Sequence, residues 1–82
     1  MEEIVLDLTE AGASCTDNPA VRFIREIQRL HEKKPRFVIV RANPRDLPAD
    51  VIAMVAERNG YMVEQVERES STVLRVVLKL QN

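Results

Sequence analysis

The amino-acid sequence predicts an α/β fold, a two-layer sandwich with two helices on one face of a four-stranded mixed sheet. The spacing of the apolar residues switches repeatedly between the period of two that is typical of strands and the helical period. Prolines and glycines stand where the spacing changes. The predicted order is strand, helix, strand, helix, strand, strand (βαβαββ), with strands near 3–8, 36–41, 61–67 and 72–80 and helices near 18–33 and 48–58.

The length and composition are those of one small domain, expected to span residues 1–82. A chain of this size buries only about 60% of the surface that its unfolded form exposes, so one thin core serves the whole fold. The single cysteine excludes an internal disulfide. The first apolar run is too short for a signal peptide or a membrane span. A cytoplasmic location is therefore expected.

The first strand and the first helix have clear local signals. Apolar residues alternate along the strand at Ile4, Leu6 and Leu8. Asn18 is a good N-cap and Pro19 suits the first helical position. Apolar residues then recur at helical spacing, at Ala20, Phe23, Ile24, Ile27 and Leu30.

The second half of the chain repeats this alternation of strand and helix. The continuous apolar run 37–40 predicts a strand that is covered on both faces, or nearly so. The turn 43–48 leads into the second helix, which Gly60 is expected to stop. The turn 69–71 joins the last two strands as a hairpin.

The inward-facing apolar residues of these elements are expected to form the core, and both phenylalanines are expected to belong to it. Truncating Ile24 or Ile27 to Ala should cost about 2–5 kcal/mol of stability. The residues expected to be largely buried are Leu6, Leu8, Phe23, Ile24, Ile27, Val38, Val40, Ile52, Val55, Leu74, Val76 and Leu78.

Cys15 is the candidate functional residue. It lies between the first strand and the first helix, within the stretch from Gly12 to Pro19, whereas a structural cysteine usually lies buried in a helix or strand. Free N–H groups and the positive dipole end of a helix stabilise an anion, and so favour thiolate over thiol. A nucleophilic sulfur and an incidental cysteine are equally compatible with this residue taken alone.

The motifs around Cys15 resemble those of the TusA/SirA sulfur-carrier family. Leu6-Asp7 is followed by Gly12-x-x-Cys15 and by a proline at the helix start. The stretch 42–48 is similar to the family's pattern before its second helix, and Gly60-Tyr61 with the final hairpin also fits. The resemblance spans nearly the whole chain.

Two departures from the family pattern affect Cys15. Thr16 stands where the family has proline, and the spacing from Cys15 to Pro19 is one residue longer. Two extra residues also separate Leu6-Asp7 from Gly12. A later helix start would weaken the dipole at the sulfur, and the Asp17 carboxylate would oppose thiolate formation by like charge.

The resemblance implies a mechanism and partners. Cys15 would accept sulfur from a cysteine desulfurase- or rhodanese-type donor as a persulfide and pass it to an acceptor protein. In relatives the sulfur serves tRNA thiolation, molybdenum-cofactor synthesis or sulfur metabolism. Whether such a protein counts as an enzyme stays open, since the resemblance implies a sulfurtransferase-type relay rather than a turnover enzyme. No cofactor, metal or membrane partner is expected. Arg22 and Arg25 would dock an acidic partner, unless they serve only solubility.

Two other functions stay open, a nucleic-acid-binding module and a protein-interaction adaptor. The net charge of −1 and the three aromatic residues disfavour nucleic acid as a partner, although eight of the twelve bases lie within 22–45. His31 lies at the far end of the first helix from Cys15, too distant for a catalytic Cys–His pair. One cysteine and one distant histidine do not make a metal site.

Overall fold

The computed structural model describes residues 3–9 and 18–81. The βαβαββ order is confirmed. The strand order in the sheet is β1-β2-β4-β3, with β1 parallel to β2 and with β4 antiparallel to both β2 and β3. The elements are β1 (Glu3–Asp7), α1 (Pro19–Arg29), β2 (Phe37–Ala42), α2 (Ala49–Arg58), β3 (Tyr61–Arg68) and β4 (Leu74–Leu80).

The two helices share one face of the sheet, which confirms the two-layer sandwich. Along β2, Val38 and Val40 point into the core that the helices cover. Because β2 is parallel to both β1 and β3, each helix must run back against the strands that it connects. Both helices therefore begin at the edge of the sheet where β1 and β2 end, here called the carboxyl edge, and finish at the opposite edge.

The ends of α1 follow from its sequence. Asn18 caps the helix through its side chain and Pro19 takes the first helical position, as predicted. The helix ends at Arg29 rather than near 33. His31 N donates to Gln28 O in a tighter turn at 3.2 Å, and Lys34 then adopts a left-handed φ of 46°, so the helix cannot continue to the buried proline that follows.

The predicted core is confirmed except at Ile24, which is 37% exposed. Phe23 and Ile27 face the sheet and are buried, whereas Ile24 lies about 100° around the helix from Phe23. The thin core covers only a narrow stripe of α1, so Ile24 lies outside it. Phe37 is also only partly buried. Successive side chains of a strand point to opposite faces of the sheet, so Phe37 lies on the face opposite that of the buried Val38.

The face of the sheet that carries no described helix is nevertheless partly apolar. Ile39 is only 5% exposed there, since it lies on a central strand between its cross-strand partners Val5 and Val77. Coverage of β2 on both faces, or nearly so, was predicted from its unbroken apolar run, and the burial of Ile39 agrees with it.

The remaining boundaries differ little from the prediction. The connection between β3 and β4 runs to Val73, whose carbonyl accepts hydrogen bonds from the N–H groups of Glu69 and Ser70. The strand β4 therefore begins at Leu74 rather than near 72. Gly60 stops α2 with a φ of 84°. Within 3–9 and 18–81, neither helix is long and apolar enough to cross a membrane.

Candidate functional site

The candidate site is the connection between β1 and α1. Cys15 belongs to the stretch 10–17, which lies outside the described residues. The structure does describe both flanks of that stretch, Thr9 on the β1 side and Asn18 on the α1 side. The two flanks lie at the carboxyl edge, where β1 ends and α1 begins.

On the β1 side, the Asp7 carboxylate organises the exit of the chain from the sheet. Its Oδ1 accepts hydrogen bonds from Thr9 N at 3.0 Å and from Thr9 Oγ1 at 2.6 Å. Its Oδ2 accepts from Arg41 Nη1 at 2.8 Å. The hydrogen bonds from Thr9, with a smaller contribution from the Arg41 charge, hold the pKa of Asp7 below its ordinary value. The carboxylate is therefore ionised and fixes the path of the chain through Thr9.

The Arg41 guanidinium connects this exit to the β3–β4 turn. Its Nε donates to Glu69 Oε2 at 3.0 Å and its Nη2 donates to Glu69 Oε1 at 2.8 Å, a bidentate pair. The hydrogen bond from Arg41 is the main cause of the lowered pKa of Glu69. We call Asp7, Thr9, Arg41 and Glu69 the Arg41 clamp.

The Arg41 clamp also reduces an electrostatic repulsion within the sheet. Arg41 and Arg75 are directly opposite each other on β2 and β4, and like charges in such a pair are destabilising. The Glu69 carboxylate contacts both, at 2.8 Å from Arg41 and 4.0 Å from Arg75. Glu69 therefore lies between the two arginines and reduces their repulsion, together with Asp7 beside Arg41 and Glu67 beside Arg75.

On the α1 side, Asn18 occupies the N–H groups at the helix start. Its Oδ1 accepts from Ala20 N at 2.8 Å and from Val21 N at 3.4 Å, while Arg22 N donates to Asn18 O at 2.9 Å. Pro19 has no N–H. The sequence-based expectation of free N–H groups for the sulfur is therefore wrong for these positions, although Asn18 itself was the signal, because an N-cap consumes such donors. The start of α1 still carries the positive end of the helix dipole.

The outer side of α1 carries the predicted docking residues. Arg22 and Arg25 are exposed, and within 3–9 and 18–81 no carboxylate pairs with either of them. Val21, four residues before Arg25 and so on the same side of the helix, is 51% exposed, and Ile24, three residues after Val21, is 37% exposed. The structure thus adds two exposed aliphatic side chains to this surface. Sequence periodicity assigned Ile24 to the core and therefore missed it.

A second turn leaves the same carboxyl edge and leads to α2. Asn43 Oδ1 accepts from Arg45 N at 2.9 Å, and Asn43 O accepts from Leu47 N at 2.9 Å. Leu47 is fully buried and anchors the turn to the core. Arg45 is exposed on it. The two stretches that carry the family resemblance, around Cys15 and at 42–48, therefore belong to connections that leave neighbouring strands at one edge.

His31 lies at the opposite edge, beyond the end of α1, so the structure does not bring it to the flanks of the Cys15 stretch. Among the residues that the structure describes, no group of three or more His, Cys, Asp or Glu side chains could hold a metal ion.

Comparisons with known proteins give no relative to set beside this arrangement. The chain matches no protein-family model, and no curated protein or solved structure is significantly similar to it. The resemblance to the TusA/SirA family accordingly rests on the sequence motifs themselves.

Proposed function

We propose that this protein is a small sulfur carrier that accepts a persulfide sulfur on Cys15 and relays it to an acceptor protein. The observation that carries the proposal is the anchoring of the Cys15 stretch at both ends, by Asp7 and Thr9 at the exit of β1 and by Asn18 at the start of α1. Reactive residues are often presented on loops that a rigid scaffold positions. In α/β sheets such loops cluster at the carboxyl ends of the parallel strands.

The transfer itself needs no cofactor. The Cys15 thiolate attacks the outer sulfur of the donor's persulfide, the donor's S–S bond breaks, and its cysteine leaves as a thiolate. The product is a persulfide on Cys15, with one sulfur atom moved and no net oxidation. Because the attacking group is the thiolate, the rate follows the pKa of Cys15. We expect the dipole of α1 to favour the thiolate, and the charge of Asp17, two residues away in sequence, to oppose it.

The outer side of α1 supports docking of the donor or the acceptor. Two arginines without a described ion-pair partner, Arg22 and Arg25, stand beside the exposed Val21 and Ile24. Opposite charges steer association, while exposed aliphatic side chains supply area that becomes buried on contact. The surface begins at the first turn of α1, a few residues from Cys15 in sequence, and suits an acidic protein with apolar residues among its carboxylates.

Intact-protein mass spectrometry tests the proposal. After incubation with a cysteine desulfurase and free cysteine, or with a persulfidated rhodanese, the protein should gain about 32 Da, one sulfur atom, and reductant should remove it. Cys15→Ser should gain nothing while keeping the wild-type circular dichroism. Absence of the adduct with both kinds of donor would rule the proposal out, and so would an unchanged adduct in Cys15→Ser.

A charge-reversal pair tests the docking surface. Arg22→Glu/Arg25→Glu should slow sulfur transfer, most strongly at low ionic strength, because salt screens the attraction. The matched control is Arg36→Glu/Arg58→Glu, which changes the net charge equally at the opposite edge and should leave the rate unchanged. Equal slowing by both pairs would remove α1 as the docking surface. Salt-dependent RNA binding lost in the first pair, without sulfur transfer in wild type, would favour the nucleic-acid-binding alternative.

A further inference from the structure

A cavity of about 180 Å³ lies at the edge opposite the Cys15 stretch, where α1 and α2 finish. Three segments form it: the turn after α1, the connection from α2 into β3, and the end of β4. His31, Lys34, Asn59 and Gln81 supply its polar lining, and none of its lining residues is Asp or Glu. The polar side chains around it are therefore cationic or neutral.

The volume of the cavity favours a small ligand. It corresponds to roughly six water molecules at the liquid volume of water, and it falls below the range of about 300–1,000 Å³ that is typical of sites for drug-sized molecules. A single tetrahedral or planar oxyanion fits.

The backbone of Lys34 is unusual in the same place. Its φ of 46° is the only positive value at a non-glycine residue within 3–9 and 18–81. A position of this kind just after a helix favours glycine, since a Cβ is strained there. Residues held in such conformations cluster at ligand sites. A function of the lysine side chain, which glycine lacks, would explain why lysine and not glycine occupies this position.

The carbonyl groups at the ends of both helices do not depend on the cationic side chains of this region for hydrogen bonds. The last carbonyls of both helices already accept backbone hydrogen bonds: Gln28 O from His31 N, Leu30 O from Lys34 N, Ala56 O from Asn59 N and Glu57 O from Gly60 N. These four carbonyls, at or just beyond the helix ends, therefore already have hydrogen-bond donors.

Lys34, and the cations that lie close in sequence to the lining residues, have no ion pair with a described carboxylate. Within 3–9 and 18–81, none of Lys33, Lys34, Arg36, Arg58 and Lys79 pairs with a carboxylate. Glu32 and Glu57 lie close in sequence, but neither lines the cavity. The side chains that line the cavity therefore include one ammonium group, that of Lys34, and no carboxylate.

We propose that this cavity binds a small oxyanion, a phosphate or a carboxylate group. Lys34 supplies the charge, and the His31 ring and the Asn59 and Gln81 amides supply hydrogen-bond donors. The Tyr61 hydroxyl already donates a hydrogen bond to Pro35 O at 2.6 Å. Tyr61 therefore lines the cavity without donating to the anion. The proposal is independent of the sulfur chemistry at the other edge.

Amide shifts in NMR spectra of the full chain test the site. Inorganic phosphate, glycerol phosphate and acetate are titrated separately at constant ionic strength set with chloride. Saturable shifts are expected at Lys34, Asn59, Gly60, Tyr61 and Gln81 with at least one of the three. Saturation by glycerol phosphate as well as phosphate identifies the phosphate group of a larger molecule, whereas saturation by phosphate alone identifies the free ion. Shifts that fail to saturate, or that fall elsewhere, overturn the proposal.

A pair of lysine variants provides the control. Lys34→Gly removes the ammonium group and at the same time relieves the left-handed backbone, so the fold should be retained or stabilised. It should weaken anion binding at least tenfold. Lys33→Gln makes the same charge change one residue earlier, outside the lining, and should bind as wild type does. Unchanged binding in Lys34→Gly, or equal loss in Lys33→Gln, overturns the assignment of Lys34.

Discussion

Arg41 makes most of the side-chain hydrogen bonds that join distant parts of the described chain. Its guanidinium holds Asp7 on one side and Glu69 on the other, and both carboxyl pKa values are lowered from 3.8 and 4.5. A carboxyl whose pKa is lower in the folded state stabilises the fold above its unfolded-state value. That stability is lost as the pH falls through the folded-state value.

The first prediction follows from this linkage. Arg41→Met should lower the melting temperature at neutral pH, and the difference from wild type should shrink as the pH falls from about 5 to about 2.5, where the carboxylates become protonated in both proteins. Melting curves over that pH range measure it. Lys79→Met, a nearby cation with no ion pair to a described carboxylate, is the control and should show no such convergence. A constant difference across the range would contradict the clamp.

The two isoleucines of α1 give a second prediction at the scale of single residues. Ile27 is 1% exposed and Ile24 is 37% exposed. Ile27→Ala should cost about 2–5 kcal/mol, since it removes buried methyl groups and leaves a cavity. Ile24→Ala should cost less than about 1 kcal/mol. Unfolding in urea measures both, and equal losses would show that Ile24 is packed in solution.

The Tyr61 hydroxyl gives a third prediction. Tyr61 is 2% exposed, and burial raises its pKa above 10.0. Its stabilising contribution is therefore present below the ordinary tyrosine pKa and is lost as the pH rises through the higher folded-state value. Tyr61→Phe leaves the Pro35 carbonyl without its donor and should cost about 1–3 kcal/mol. Urea unfolding at neutral pH checks this. Unchanged stability would mean that another donor replaces the hydroxyl.

At the scale of elements, α1 combines three roles along its length. Its start is closed by Asn18, one side packs on the sheet through Phe23 and Ile27, and the other side exposes Val21 and Arg25. Because the Asn18 side chain accepts from Ala20 N and Val21 N, these two backbone donors are not free to bind an anion at the start of α1.

The start of α1 therefore gives the fourth prediction. Asn18→Asp keeps a good N-cap but adds a negative charge, which should raise the pKa of Cys15 and slow its alkylation by iodoacetamide at neutral pH. Asp17→Asn removes a charge from the same region and should speed it. Alkylation rates across a pH series measure both. Equal rates in the two variants would show that neither side chain acts on the sulfur.

The strand β3 shows how the sheet protects an exposed edge. Its pairing with β4 is interrupted by an irregularity between Val63 and Gln65, and Glu64 and Glu67 are exposed along it. A bulge and charged side chains both discourage pairing with another chain.

At the scale of the whole molecule, the topology separates two chemically different ends. Both helices run against the strands β1, β2 and β3, so both helix starts lie at the carboxyl edge with the Cys15 flanks, and both helix ends lie at the opposite edge with the cavity. The proposed sulfur site and the proposed anion site are thus divided by the length of the helices. Substitutions at Lys34 should not alter the reactivity of Cys15.

The sequence by itself determined the order of the elements, the Asn18 cap and the stop at Gly60. These features depend on residues close together in the chain, because helix and strand periods and the backbone preferences of proline and glycine are local. Eleven of the twelve expected core residues were found for the same reason, since apolar periodicity marks the buried face of each element.

Only the tertiary structure decided which neighbours each face meets. Ile24 fits the helical period, but the core beneath α1 is too narrow to cover it. Arg41 meets Asp7 and Glu69 across separations of 34 and 28 residues, and the cavity at Lys34 joins segments from three parts of the chain. Contacts of this kind arise from how the elements pack, which no local pattern encodes, because the energy of a side chain depends on the surface that folding places opposite it.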